Sequence, residues 1–589
     1  MRKYYKILIL ITFLAFSITT VSANAVGYTY SHSGKPIYST VGLSVSADGI
    51  YTVISDAWIN KSGDRLPVNR FKSPEDLFVY TEKDQSGNSK DIIYVVDSDS
   101  NNLFVFDGNL NYQYRVNQFE IRPEDFTEEE ILKINTNQKT DSDSDADKQS
   151  KTIKFTDYLS KKGFSLHEFF AVAEISYDER TDDQKFYLSC NTLSGVYRAI
   201  RPARDKNGVI IKDAVQDLIY LSDKNNNQIV IVDANTYKVV QVVSAPTNIS
   251  FSGKKFLPVK LVTDVTGRLF VISEGVYEGI MQMSYFGEFS SFVGVNYVTL
   301  TFWQTLWKKF LTEEQIKKQD TIINTIFTSI AIDDEGFIYT TSRAINDVDD
   351  TKMIKRINPS GKDVLTRNGY HVPKGDLEYI RTGTDTSLRG PSRFTSITIN
   401  DYGVYTVADG KSGRLFTYDD EGNLLYISAG KGNELDNLNT PVAIRYHGES
   451  ILALDKTNKA ILRYKPTEIG AAINKAVKYH YQGNLVASSE EWKNVVAKNP
   501  NYEFAYVGIG KSLLNEGRYT EAMNYFQTGY NVTYYSRAYK LYRDQQVEKY
   551  FTPFMWVLLI SGFTYVGYKT YVKVRYRKLK DTEMGDDDE

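Results

Sequence analysis

The apolar positions of this chain follow two periods, and the change falls near residue 466. Before it, short apolar runs alternate with clusters of Asp, Asn, Gly, Ser and Lys, the pattern of strands and tight turns. After it, apolar residues recur at about every 3.6 positions, the pattern of amphipathic helices. Four segments of the first region align without a gap: VVDSDSNNLFVFD (95–107), LSDKNNNQIVIVD (221–233), VADGKSGRLFTYD (407–419) and ALDKTNKAILRYK (453–465). Asp97, Asp223, Asp409 and Asp455 hold one register, and ten residues later stand Asp107, Asp233, Asp419 and Lys465.

Each segment reads as a β-hairpin. A strand ends at the first Asp, a turn follows where Asn, Gly, Ser and Lys tolerate special backbone angles, and a second strand runs on. Upstream strands are expected at DLFVY (76–80), DLIYL (217–221), SITIND (396–401) and VAIRYHG (442–448), and outer strands such as VVQVV (239–243). Weaker copies cover 258–289 and 327–365, and a degenerate one covers 169–200. A D-x-x-G turn recurs at Asp264/Gly267, Asp333/Gly336 and, shortened, Asp401/Gly403. Four-stranded antiparallel units repeated this often are best closed around an axis, which leaves few exposed edges. The expected body is therefore a mainly β structure, a β-propeller over residues 26–466. About seven blades are expected, with six to eight allowed, and the early strand 41–55 is a candidate to complete the last one.

Two insertions interrupt the repeat. Residues 120–152 contain DSDSDADKQSK, in which Asp141, Asp143 and Asp145 alternate as in a calcium loop. The sixth position is Ala146 instead of Gly, and the twelfth is Thr152 instead of Glu, so a flexible acidic loop is the better reading. Residues 300–322 read as a helical excursion, with Trp303, Trp307 and Phe310 on one face.

In the helical region Pro466 and Pro500 are 34 residues apart, as are Ala471 and Ala505, Gly483 and Gly517, and Trp492 and Phe526. Small residues where paired helices approach, and an aromatic in the second helix, fit a helix–turn–helix repeat of that length. The module spans 467–550, with SRAYKLYRDQQVEKY (536–550) as its capping helix. A membrane span is expected over 551–572, with Pro553 at its start and a basic flank at Lys569, Lys573, Arg575, Arg577, Lys578 and Lys580. Residues 573–589 would then form a cytoplasmic tail ending in the acidic GDDDE. Residues 1–25 read as a signal peptide, with Arg2, Lys3 and Lys6 before an apolar stretch and Ala23-Asn24-Ala25 as the cleavage site. The expected localisation is the cell membrane, single-pass, with the N-terminal body extracellular.

Three parts of the chain resemble known families. IIYVVDSDSNNLFVFD and GVYTVADGKSGRLFTYD are similar to NHL repeats, which implies an NHL-type propeller. The segment from YHYQGNLVASSEEW to NEGRYTEAMNYFQTGY resembles two tetratricopeptide repeats, with Ala471, Gly483, Trp492, Pro500, Ala505, Gly517 and Phe526 at the signature positions. The whole layout resembles an uncharacterised family of Gram-positive bacterial proteins. That resemblance implies a bacterial cell-surface protein associated with membrane transport, an ABC-type transporter among the partners.

Composition narrows the function further. Charged residues are 24% of the 589 and the net charge is −3, which gives no basic stripe for nucleic acid. The 44 Tyr and 30 Phe suit pleated, half-buried surfaces more than a glycan-stacking role. The single cysteine, Cys190, cannot form an internal disulfide and reads as a small buried hydrophobe. His32, His167, His371, His447 and His480 lack metal-ligand spacing, and no nucleophile elbow, phosphate loop or dinucleotide fingerprint occurs. No catalytic, metal or cofactor-binding residue is assigned, and no cofactor is expected. The seven repeated aspartates, Asp97, Asp107, Asp223, Asp233, Asp409, Asp419 and Asp455, are read as structural turn residues, because an active site would be asymmetric. The expectation is a non-catalytic binding or scaffold protein whose propeller takes a protein or glycan and whose helical module, as a stalk, docks a membrane partner. The alternative is an extracellular propeller hydrolase or lyase, similar to gluconolactonases, acting on carbohydrate.

Overall fold

A computed structural model describes residues 27–583, apart from 31–35, 40, 53–57, 60–64, 67–70, 84–88, 140–149, 206–207, 249–250, 252, 296–324, 345–351, 370–371, 377–390 and 433. The chain divides after Ala471 into two compact units. The signal segment, Asp141, Asp143 and Asp145, the helical insertion 300–322, His32, His371 and the acidic tip lie outside the described residues.

The first unit is a β-propeller of six antiparallel blades. Blade 1 comprises Pro74–Lys83, Ser89–Asp97, Asn102–Asp107 and Tyr112–Val116. Blade 2 comprises Leu193–Arg204, Ile210–Asp223, Gln228–Asp233 and Val239–Ser244. Blade 3 comprises Pro258–Thr263, Leu269–Ser273, Ile280–Met283 and Phe289–Val293. Blade 4 has three strands, Thr325–Ile332, Ile338–Ala344 and Ile354–Ile357. Blade 5 comprises Phe394–Ile399, Tyr405–Asp409, Arg414–Tyr418 and Leu424–Ala429. Blade 6 comprises Pro441–His447, Ser450–Asp455 and Ala460–Pro466, and its outer strand is the early segment Leu43–Thr52. Each inner strand touches the next, and that of blade 6 touches that of blade 1, so the ring closes. Leu269–Ser273 and Arg414–Tyr418 are buried at every position. Middle strands are covered on both faces by neighbouring blades, which explains their continuous apolar runs.

The count is six instead of about seven, and the reason lies at residues 169–223. The segment 169–200 is not a blade. It holds short helical turns and the strand Phe186–Leu188, which pairs with Phe119–Ile121. Only its end enters a blade, as the inner strand Leu193–Arg204. The supposed upstream strand DLIYL belongs to Ile210–Asp223, the second strand of that same blade. Two partial units in the sequence are thus one blade.

The insertion between blades 1 and 2 is ordered at both its ends, contrary to a flexible loop over 120–152. Helix Glu128–Lys133 opens with a capping box from Thr127 and Glu130. A hairpin pairs Asn135–Lys139 with Ser150–Lys154. Phe119, Ile121, Ile131, Phe155, Phe169 and Phe186 are buried together with Tyr94, Val105 and Val230 of the adjoining blades. That apolar burial holds the insertion against the propeller.

The chain enters the second unit within helix Glu468–Tyr481, and Leu485–Lys498, Glu503–Asn515 and Tyr519–Thr528 follow. Trp492 and Phe526 are buried at equivalent places in two successive hairpins. The Trp492 ring lies where a Cβ on Gly508 would sit, at 2.3 Å, so only glycine lets these helices approach. Ala505 is buried, Ala471 half-buried and Pro500 exposed, while Gly483 and Gly517 end the first helix of each pair with φ of 76° and 77°. The expected capping helix and span are not separate. Val532–Glu583 is one continuous helix of 52 residues, with Pro553 inside it instead of at a start. Its stretch Val532–Lys580 is long and apolar enough to cross a membrane.

Candidate functional site

The repeated aspartates end the second strand of four blades, and each holds the chain entering its own blade. Asp97 accepts from the backbone N–H of Lys72 and Ser73, at 2.6 and 2.9 Å. Asp223 accepts from Asn191 N–H at 2.7 Å, Asp409 from Arg393 N–H at 2.8 Å, and Asp455 from Asn439 and Thr440 N–H at 2.5 and 3.2 Å. The same carboxylates cap their own turns, through Ser100 on Asp97, Asn226 on Asp223, Ser412 on Asp409 and Asn458 on Asp455. In blade 3 the equivalent residue is Ser273, whose hydroxyl accepts from Leu257 N–H at 2.9 Å. Burial pushes the Asp223 carboxyl up to about 7, although Asn191, Asn226, Gln228 and Cys190 donate to it.

Asp107, Asp233 and Asp419 sit in the next turn of their blades. Asp107 accepts from Asn109 and Asn111 N–H, Asp233 from Asn235 and Thr236 N–H, and Asp419 from Asn423 N–H. These are side-chain caps of tight turns. The turn expected at Asp401/Gly403 starts one residue earlier. Asn400 accepts from Tyr402 and Val404 N–H, so it is a full-length turn with Asn in place of Asp.

Sequence reasoning missed the hub. Every inner strand skips one residue against its second strand, between Pro74/Asp76, Leu193/Gly195, Pro258/Lys260, Phe327/Ser329, Phe394/Ser396 and Pro441/Ala443. In blades 1, 4 and 5 the residue after the bulge faces the next blade. Asp76 accepts from Val196 N–H, Ser329 from Ile397 N–H and Ser396 from Ile444 N–H, at 3.3, 3.1 and 3.0 Å. A side chain of one blade thereby satisfies the free backbone edge of the next. Gly195 occupies the equivalent place in blade 2 because a Cβ there would stand 2.3 Å from the Val259 carbonyl oxygen. Lys260 sends its ammonium to Asp76 of blade 1, 3.3 Å away, and donates to the Val442 carbonyl of blade 6 at 2.9 Å. Burial lowers the pKa of Lys260, Asp76 opposing and Arg445 adding to the fall. The hub residues are Asp, Gly, Lys, Ser, Ser and Ala, so no shared letter marks them. Only the alternation of the bulged strands could have pointed to the register.

A cleft of about 260 Å³ opens where the inner strands of blades 3 and 4 turn into their second strands. Tyr197, Phe270, Ile332, Ile338 and Ile357 give it apolar walls. Its carboxylates come from the two D-x-x-G turns, whose leading aspartates are engaged. Asp264 accepts from Thr266 and Arg268 N–H at 2.9 and 3.0 Å and pairs with the Arg268 guanidinium at 2.7 Å. Asp333 accepts from Phe337 N–H at 2.8 Å and faces Arg356 at 3.6 Å, and burial raises its pKa. Asp334 and Glu335 stand exposed at the mouth. Burial pushes the Tyr197 hydroxyl up, the Arg445 charge pulling the other way. Ile200 and Val265, 49% and 75% exposed, extend the apolar wall onto the outer surface. Among the described residues no three His, Cys, Asp or Glu side chains come together to hold a metal ion. The arrangement offers an apolar floor with two carboxylates at its entrance, a geometry for seating a small group or a protruding side chain.

No family model matches the chain, and no curated protein matches it. Solved structures similar to it include virginiamycin B lyase from Staphylococcus aureus, at 10% identity over 67% of this chain and 96% of that one, with a TM-score of 0.32. Hydrazine synthase of Kuenenia stuttgartiensis is similar at 8% identity over 69% and 99%, TM-score 0.32. A protein of unknown function from Bacteroides thetaiotaomicron is similar at 12% identity over 74% and 80%, TM-score 0.32. The six-bladed closure rests on the strand pairing of this chain, not on these likenesses.

Proposed function

We propose that this is a membrane-anchored, extracytoplasmic binding protein whose propeller takes a ligand or partner at the cleft of blades 2 to 4. The observation that carries the reading is the state of the turn aspartates. Asp264 and Asp333 at the cleft are engaged in backbone caps and arginine pairs, and the repeated aspartates elsewhere in the blades are engaged in backbone caps. What the cleft presents is shape and apolar surface, which suits recognition. The repeated strand–turn–strand units support an NHL-type propeller. The equivalent burial of Trp492 and Phe526 at a spacing of 34 residues supports a pair of tetratricopeptide-like repeats. The exposed apolar helix that follows supports a membrane anchor, and a transporter is the partner class that suits a docking module joined to a span.

The test uses the full chain in mild detergent with crosslinking, beside Ala199→Trp, a variant that fills the cleft from its wall. A partner or glycan captured by the wild type and lost in the variant supports the reading. Capture that ignores the variant moves the site elsewhere. Turnover of a sugar lactone or glycan by the wild type, lost in the same variant, replaces the reading with the hydrolase or lyase one.

A further inference from the structure

The long helix carries its apolar stretch directly into a run of basic residues, and the helical period sorts those charges onto sides. Lys569, Lys573, Arg577 and Lys580 follow one another at spacings of four, four and three, which places them along one side, with Tyr576 among them. Arg575 and Lys578 fall elsewhere on the circumference. All four side chains of the stripe are exposed, and the apolar residues before them, Phe563 and Val566 among them, are exposed as well.

Length sets where the stripe would sit. At about 1.5 Å per residue, residues 551–572 cover about 33 Å, the thickness of a hydrocarbon layer. Lys569 then lies within the last turn of the span, where its long stem reaches outward to the headgroups. Lys573 and Arg577 occupy the next two turns, at headgroup depth, and Tyr576 suits the same interface. An arginine fork takes two phosphate oxygens at once, and a lysine adds a point charge beside it.

We propose that this side of the helix binds the headgroup phosphate of an anionic phospholipid, with Lys573 and Arg577 flanking it and Lys569 reaching it from within the span. The site rests on the reading of this helix as a membrane anchor. Its ligand is a lipid of the surrounding bilayer, chosen over a zwitterionic one by charge. Near a membrane surface each basic residue favours anionic lipid by about 1 kcal/mol, so two of them are worth about 30-fold in preference.

The full-length protein is reconstituted into phosphatidylcholine vesicles with a minor fraction of phosphatidylglycerol, and spin-labelled forms of both lipids are compared at the protein. Flotation of the vesicles reports insertion separately. The wild type is expected to float and to prefer the labelled phosphatidylglycerol. K573Q/R577Q should still float but lose that preference by about 30-fold, while R575Q/K578Q, with the same change of charge, keeps most of it. Equal losses in the two variants, or no preference in the wild type, would overturn the site while leaving the anchor intact. Failure of the wild type to float would remove the anchor and the site together.

Discussion

Lys260 and Asp76 meet at 3.3 Å although they belong to blades 3 and 1, which are not neighbours in the ring. The same ammonium reaches the Val442 carbonyl of blade 6, so the side chain crosses the hub. Both residues are nearly shut off from solvent. A buried pair of this kind is costly to break from one side only, because the remaining charge is left unpaired.

Lys260→Met and Asp76→Asn should therefore each lower stability by about 3–5 kcal/mol. Asp76→Asn should be the milder, since its amide oxygen can still accept from Val196 N–H. The double variant Asp76→Ser with Lys260→Met should recover part of the loss, because Ser329 and Ser396 fill the same place in blades 4 and 5. Denaturant unfolding of the four proteins tests this. Equal stability of all four would dismiss a role for the pair.

The turn aspartates yield a graded expectation. Asp409→Ala removes acceptors for Arg393 N–H, Lys411 N–H and the Ser412 hydroxyl, which should cost about 2–3 kcal/mol. Asp409→Ser should cost about half as much, since Ser273 does the equivalent work in blade 3. Thermal unfolding of the two variants, ranked against the wild type, checks the order.

Acid should loosen the seam between the last blade and the first. His447 Nε2 stands 2.7 Å from Asp91 Oδ2, and the Thr81 hydroxyl donates to Oδ1 at 2.6 Å. Burial works to raise the Asp91 pKa, but the hydrogen bonds of Thr81 and His447 and the charges of His447 and Arg463 outweigh it, so the folded value is below the ordinary 3.8. A depressed carboxylate contributes stability that is present above its unfolded pKa and is lost as pH falls through the folded one. Asp91→Asn should flatten the acid limb of the stability–pH curve below about pH 4 and leave the neutral part nearly parallel to that of the wild type. An unchanged acid limb in the variant would place the sensitivity in other carboxylates.

The helical unit should respond by itself to loss of its aromatic anchor. Trp492 stacks on Tyr502, with ring centroids 6.3 Å apart, and meets Phe504 edge-on at 5.5 Å. Trp492→Ala should cost about 3–5 kcal/mol, seen as earlier loss of the helical circular-dichroism signal. The β signal should melt as in the wild type. A common shift of both signals would mean that the units unfold together.

How much of this was legible depended on whether a residue's job recurred. Asp97, Asp223, Asp409 and Asp455 repeat because each caps the same entry, so the hairpins they mark are legible directly. In blade 2 Asp223 marks only the second strand, and the inner strand, Leu193–Arg204, stays hidden because it follows an unrelated insertion. The hub stayed hidden because Asp76, Gly195, Lys260, Ser329, Ser396 and Ala443 answer to different neighbours at one position. Pro553 looked like a helix start by local chemistry, yet the helix runs through it. Of the cleft only the two D-x-x-G turns, Asp264/Gly267 and Asp333/Gly336, were legible, since its apolar walls come from three successive blades and look like any other core.

Among the described residues the strand Leu43–Thr52 pairs only with Ala460–Pro466. During synthesis, then, the earliest blade strand must wait while all the others are made. Such distant pairing is slow to form and leaves an open edge on the last sheet in the meantime. Closure of the ring is thereby a late checkpoint: a chain stopped anywhere short of residue 460 can stack its sheets but cannot lock them.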